Sequence, residues 1–308
     1  MSTILSLDLD DLPCYHAIHG LTPEEGAAPK RGLALECWLP RFLDLFAARD
    51  VSATIFVVGA DLEYDLRERG GRGAEVLLRA LAQGHELGNH SFSHAYDLHT
   101  RSSAEIASDL GRCDDLLREL GARVLGFRAP GYTHDRAMLL QAAGLGYRYD
   151  SSLLPSPTYY LAKLGVLGLG RLRGRRSSSQ VGGARSFLGS SSVHYLPEIG
   201  LWEVPISVSR ALRLPMTGTF LLGDAPPMLP KLQGEALRRE AAVTRHLHLE
   251  LHAIDLADPA ADGVDPGLLT VQRELATPLD RRLERLSALL KARGRATSIA
   301  RALSRHLV

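Results

Sequence analysis

The sequence predicts an α/β fold: a (β/α) barrel, closed or nearly closed, of about seven parallel strands. Three observations carry this expectation. Short apolar segments with a period of two alternate along the chain with longer segments of helical period, the pattern of βα units and parallel pairing. About seven such strands fall within 308 residues, which suits one barrel better than two domains. The polar residues Asp8, Asp10, His90, Arg128, Asp150 and His252 fall at or just past the C-terminal ends of separate strands. In β/α barrels that rim is where active sites are assembled.

Residues 3–10 open the chain with Leu5, Leu7 and Leu9 on one side and Ser6, Asp8 and Asp10 on the other, a strand by its period. Asp8 and Asp10 therefore share a face, and Asp11 points away unless the chain turns. Further strands are expected at 52–58, 85–90, 124–128, 147–151, 202–206 and 246–252. Helices are expected at about 34–49, 74–83, 103–120, 134–144, 232–245 and 279–293. Residues 156–200 stand apart. An apolar stretch from Tyr159-Tyr160-Leu161 runs into Arg171, Arg173, Arg175 and Arg176, then into a Ser/Gly-rich segment at 177–193. The expectation is a solvated insertion within a single domain spanning 1–308. Its functional alternative is a lid or docking loop whose arginines contact the phosphate of an anionic or lipid-linked substrate.

Composition narrows the function classes. Apolar residues are 45% and charged residues 23% of the chain, an ordinary globular balance. A net charge of +1 gives no global electrostatic case for nucleic acid or an anionic membrane. Cys14, Cys37 and Cys113 are too few and too scattered for a disulfide framework or a CxxC metal site, and read as reduced thiols. Charged residues arrive soon after Met1-Ser2-Thr3, unlike a secretory signal, and no run of ~20 apolar residues suits a spanning helix. The expectation is a cytoplasmic protein without a transmembrane segment.

Gly88-Asn89-His90-Ser91-Phe92-Ser93-His94 sets two imidazoles four residues apart, a spacing that brings both rings to one side of a helical turn. With 12 histidines in 308 residues, about half of one such pair arises by chance, and His248 with His252 makes another. A carboxylate partner strengthens the first pair. Two imidazoles and one carboxylate leave open positions for water and a substrate oxygen, the donor set of a catalytic zinc. The Asp8/Asp10 pair supplies that carboxylate and leaves a second one free as a base. His246, His248, Glu250 and His252 share one strand face and form a lesser candidate for an independent metal cluster.

These segments resemble the polysaccharide deacetylase family, with its NodB homology domain. The resemblance covers residues 3–10, 84–94, 126–132, 147–155 and 248–256 in the family's order, and the His-Ser-x-x-His element is its most specific part. Arg128-Ala129-Pro130-Gly131-Tyr132 is similar to the Arg-x-Pro element, Tyr149-Asp150-Ser151-Ser152 to the Asp motif, and Leu251-His252 to a late strand ending in a catalytic histidine. The resemblance implies a distorted barrel that removes the N-acetyl group from a sugar. It implies a divalent metal (Zn2+, or Co2+ or Fe2+) on Asp10, His90 and His94. Asp8 would be the general base, Arg128 would hold that carboxylate, and Gly131 or Tyr132 would offer a backbone N–H to the oxyanion. His252 would be the general acid, oriented and charged by Asp150.

The first motif departs from the commonest family form, in which two aspartates are adjacent. Asp8/Asp10 and Asp10/Asp11 are both open as the base/ligand pair, and the strand alternation favours the former. Glu250 stands where many members have an apolar residue near the acetyl pocket, and the tryptophan often found near the Asp motif is missing after Asp150. The expected substrate is an activated, lipid-linked or oligosaccharide precursor. Two other functions compete: a metal-dependent C–N hydrolase of a formamide or non-sugar amide, and a non-catalytic sugar-binding protein. Tyr15, His16 and His19 read as a surface loop within reach of substrate, His85 and Asn89 as shaping the turn before His90, and Ser91 as orienting His94.

Overall fold

The computed structural model describes residues 1–21, 30–172, 174, 176–181, 187–224 and 231–304. Eight strands form one sheet: β1 (Ser2–Asp8), β2 (Thr54–Val57), β3 (Glu86–Asn89), β4 (Gly126–Phe127), β5 (Tyr149–Asp150), β6 (His194–Leu196), β7 (Leu201–Glu203) and β8 (His246–His252). Their order is β6-β7-β5-β4-β3-β2-β1-β8, and every pair is parallel except β6 with β7. All the strands expected from the sequence are present. The short antiparallel β6 was not expected and lies inside the 156–200 segment.

The sheet curls into a half-barrel. Irregular chain after β7 runs along the outer edge of β8: Ser207 donates its N–H to the His248 carbonyl at 3.2 Å, and Thr217 bridges Glu250. The nearly closed barrel is thus a curled ladder whose gap is covered by irregular chain that an isolated bridge joins to β8.

Among the described residues, seven α-helices lie between β1 and β6: α1 (Leu12–His19), α2 (Leu39–Ala48), α3 (Gly59–Glu68), α4 (Arg72–Ala82), α5 (Ser103–Glu119), α6 (Arg136–Gly144) and α7 (Pro157–Leu172). Helices Lys231–Val243 and Leu279–Arg293 complete the expected set. Ser102 and Glu105 start α5 with a reciprocal capping box. α1, α3 and α7 were not expected. α7 carries Gly165, Gly168 and Gly170, which lower helix propensity by ~1 kcal/mol each, so its sequence reads as a loop. Arg173, Arg175 and residues 182–186, on which part of the phosphate-contact expectation falls, lie outside the described residues, as does the side chain of Arg171.

The alternation in β1 has its physical counterpart. Leu5, Leu7 and Leu9 are buried in one apolar cluster with Trp38, Phe42 and Phe46, each such side chain contributing roughly 1.5–3 kcal/mol. Ser6 and Asp8 on the opposite face are buried too, because both faces of a parallel sheet are covered. Their burial needs polar partners, and those partners build the site. Among the described residues, no helix is long and apolar enough to cross a membrane.

His85 precedes β3 and is held neutral. Burial lowers its pKa to about 4, and its Nδ1 accepts the Ala53 N–H at 3.0 Å. A folded pKa below the unfolded value of ~6.5 means that this contribution is complete above pH ~6.5 and is lost as pH falls toward 4. Urea titrations should show His85→Gln losing less stability than wild type between pH 7 and pH 4.5. An unchanged pH slope would remove His85 from the acid sensitivity of the fold.

A candidate metal centre at the rim of the half-barrel

The loop after β3 is set by its neighbours. The Asn89 side chain donates to the Leu110 carbonyl at 2.8 Å and to Tyr147 at 2.7 Å, while its Oδ1 accepts the Ser91 N–H at 2.8 Å. Asp109 on α5 takes the N–H groups of Phe92 and Ser93, and Ser91 Oγ accepts the N–H of His94 at 3.0 Å. Ser91 and His94 hold φ of 63° and 51°, a left-handed conformation unusual for residues with a Cβ. The two imidazoles therefore meet across a strained loop, not across the helical turn expected from their spacing. Asn89 thus shapes the turn, as expected, whereas Ser91 engages the backbone of His94 and not its ring.

Asp10 Oδ1 lies 3.3 Å from His90 Nε2 and 3.0 Å from His94 Nε2. Asp10 Oδ1 and His94 Nε2 are buried, yet neither has a hydrogen bond of acceptable geometry. Ligand atoms of Asp10, His90 and His94 fall within 4.8 Å of one another. Donors that converge without satisfying each other, in the chemistry of two imidazoles and a carboxylate, fit a divalent cation. His90 Nδ1 faces the Arg128 carbonyl at 2.8 Å, which fixes the ring with Nε2 toward the site. Burial pushes Asp10 up, but the adjacent His94 and His90 hold its carboxyl well below the usual range. Asp11 is turned away: its carboxylate accepts the N–H groups of Gly32 and Ala34. The geometry therefore sets Asp8 and Asp10, and not Asp11, toward the cavity.

Asp8 sits beside this triad, its Oδ2 3.7 Å from His90 Nε2. Arg128 is fully buried and donates to Asp8 Oδ1 at 2.6 Å, to Ser6 at 3.0 Å, and to the Ser151 hydroxyl and carbonyl at 2.8 and 2.9 Å. The Phe56 ring lies 4.4 Å beneath its guanidinium. His248 completes the cradle without adding charge. Burial and Arg128 lower its pKa to about 3, and the ring contacts Ser6 Oγ at 2.9 Å and the Pro205 carbonyl at 3.0 Å. Gly131 and Tyr132 line the same cavity at left-handed φ of 59° and 61°. A Cβ on Gly131 would stand 2.1 Å from the Tyr96 ring, so this close approach requires glycine.

His252 lies across the cavity at the end of β8. Burial alone would lower its pKa, but Glu250, then Asp8, Asp10 and Asp255, raise it to about 9. Asp255 accepts the His252 N–H at 2.8 Å. Here the structure departs from the expected partner. Asp150 accepts from the Ser152 hydroxyl at 2.6 Å and faces Glu203, whose pKa is pushed well up by burial and by Asp150 itself. Asp150 ends β5, so its side chain meets the neighbouring β7, whereas Glu250 shares a strand face with His252 and stands beside it. The period of two in β8 put Glu250 on the face of His252 and suggested a lesser metal cluster there, but not Glu250 as the partner that charges His252.

The cavity holds about 200 Å³ and is also lined by Tyr15, His19, Tyr159 and Lys163. Tyr15 and His19 of α1 thus border it, while His16 turns to the Leu12 carbonyl and Asp265. Lys163 and Tyr159 come from α7, in the segment whose alternative reading was a lid or docking loop; no sequence signal singled out Lys163. A larger cleft of about 950 Å³ continues under α7, with Tyr96 and Ser179 lining both spaces.

A triad that could hold a cation, a carboxylate locked to a buried guanidinium and a facing histidine stand together on the rim of a half-barrel, the donor set of a candidate hydrolytic centre. The family model for polysaccharide deacetylases matches residues 19–149. A chitin deacetylase from Colletotrichum lindemuthianum is 30% identical over 194 residues, covering 61% of this chain and 75% of the relative. A peptidoglycan-N-acetylglucosamine deacetylase from Bacillus cereus is 25% identical over 138 residues, covering 45% of this chain and 57% of the relative. A solved polysaccharide-deacetylase-type chain from Mycobacterium smegmatis shares the fold, with a TM-score of 0.56 at 15% identity over 99% of this chain and 89% of that one. The chain belongs to the polysaccharide deacetylase family.

Proposed function

We propose that the protein is a metal-dependent hydrolase that removes the N-acetyl group from an N-acetylated sugar, giving acetate and an amino sugar. The observation that carries this reading is the convergence of buried, unsatisfied Asp10 and His94 with His90, beside the Asp8–Arg128 pair. A divalent ion held by Asp10, His90 and His94, zinc or in its place cobalt or iron, would polarise the amide carbonyl and acidify water when bound.

The remaining chemistry belongs to the chain. Asp8 takes the proton of the attacking water at Oδ2, because Oδ1 is committed to Arg128. Arg128 fixes the rotamer of that carboxylate through the bond to Oδ1. Oxyanion charge is met by a backbone N–H of the 131–132 turn. The Tyr132 N–H is already given to the Ala129 carbonyl at 3.1 Å, which favours Gly131. His252, charged by Glu250, delivers a proton to the departing nitrogen as the C–N bond breaks. Asp150 drops to an indirect part, bracing β5 through Ser152 and Glu203.

The small cavity suits one acetamido sugar, and the adjoining cleft suits the rest of an activated, lipid-linked or oligosaccharide substrate. Three unpaired thiols, Cys14, Cys37 and Cys113, accord with a reducing compartment, the cytoplasm. A second reading, hydrolysis of a formamide or other small amide, draws support from Glu250, a carboxylate bonded to the cavity-lining Tyr132 where many family members have an apolar residue near the acetyl pocket.

Product analysis separates the readings. Zinc-loaded protein is incubated with short N-acetylglucosamine oligosaccharides, an N-acetylated nucleotide sugar and their N-formyl counterparts, and acetate and formate are quantified. Acetate from at least one sugar is the expected result. Formate alone moves the activity to the second reading, and saturable binding without either acid makes the protein a sugar-binding one.

A further inference from the structure

We propose that Asp8, Glu250 and His252 form a second divalent-cation site beside the first, filled at higher metal concentration, whose occupancy stops hydrolysis. Ligand atoms of these three residues lie within 4.8 Å of one another, as do those of the Asp10/His90/His94 set. Glu250 is 0% exposed, and its Oε1 has no hydrogen bond. His252 Nδ1 is likewise buried and without one. Tyr132 engages the other Glu250 oxygen at 2.9 Å and so leaves Oε1 outside that bond. Asp8 offers Oδ2, since Oδ1 is held by Arg128. A carboxylate–carboxylate–imidazole set is a donor group for zinc, manganese or cobalt.

The neighbouring charges rank the two sites. The Arg128 guanidinium is 2.6 Å from Asp8 and 3.5 Å from Glu250, and like charge weakens a cation there. Among the described residues, Asp10 has no arginine or lysine as an ion-pair partner, only His90 and His94. The first site therefore fills first. Because Asp8 lies 3.7 Å from His90, it stands between the two ions. The binding half of the inference is independent of the reaction assigned above. The inhibitory half rests on that reading, because the second ion takes the lone pairs of the base and of the acid together.

The test is equilibrium dialysis against rising zinc chloride for wild type, Glu250→Gln and His252→Ala, with bound zinc, circular dichroism and acetate release measured on the same samples. Wild type should bind one more zinc per chain than either variant, and its acetate release should fall as that ion binds. Equal zinc in wild type and in a folded variant overturns the site. Acetate release that persists at full second loading overturns the inhibition. Should neither variant fold, electron paramagnetic resonance of wild type loaded with manganese decides: two ions flanking Asp8 give an exchange-coupled spectrum, and isolated-ion signals at the same loading contradict it. Absence of acetate from every substrate at any zinc concentration defeats the deacetylase reading, while the zinc count still decides the site.

Discussion

Asp8→Asn should keep its metal and lose about 10²–10⁴-fold in the rate of acetate release, the range set by removal of a general base. Asparagine preserves the shape of the side chain and can still accept from Arg128, which donates to Asp8 Oδ1 at 2.6 Å. It cannot take a proton from water. The burial of Arg128 makes the consequence wider than one lost base. Glu250, at 3.5 Å, becomes the carboxylate that faces the guanidinium, and a buried cation with a weakened partner is destabilising by up to ~3–5 kcal/mol. A lower melting temperature with unchanged metal content is therefore expected alongside the kinetic loss. Metal analysis on the dialysed variant is the check. Loss of metal in Asp8→Asn would exchange the parts of Asp8 and Asp10.

His94→Ala should release the metal on dialysis and reduce acetate formation to background. Three side chains converge in the first site, and deletion of one leaves a bidentate set too weak to hold a labile divalent ion. The loss should exceed the ~10–100-fold in affinity that follows removal of an outer-shell partner. The fold should survive, because the His94 side chain makes no hydrogen bond that the loop depends on. The loop is fixed by its backbone N–H on Ser91, by Asn89 and by Asp109. Wild-type metal content in His94→Ala would show that the ion is held elsewhere.

Period and spacing made much of this molecule legible before its structure. The alternation of Leu5, Leu7 and Leu9 with Ser6, Asp8 and Asp10 told strand from helix and set both aspartates on one face, and the structure turns Asp11 outward to Gly32 and Ala34. Local patterns of that kind are properties of the backbone and are written into any short stretch of sequence. Side-chain partners across the barrel are not. Asp150 and Glu250 are both carboxylates near strand ends, and only the strand order decides that Asp150 meets β7 while Glu250 stands with His252. The conformation of the His90–His94 loop was equally hidden. Positive φ at Ser91 and His94 is sustained by Asn89 and Asp109, and Asp109 reaches it from a different element. α7 was missed because its glycines speak against a helix. Lys163 on that helix borders the cavity beside Tyr159, and no sequence signal singled it out.

The most direct measurement is a stepwise reloading of metal-free wild-type protein with zinc, with acetate release from an N-acetylated oligosaccharide followed at each addition. The account predicts that activity is absent without metal, rises in proportion to the first equivalent and is not restored in His90→Ala. Full acetate release from the metal-free protein, or reactivation of His90→Ala by the same first equivalent, would contradict a hydrolytic centre built on Asp10, His90 and His94.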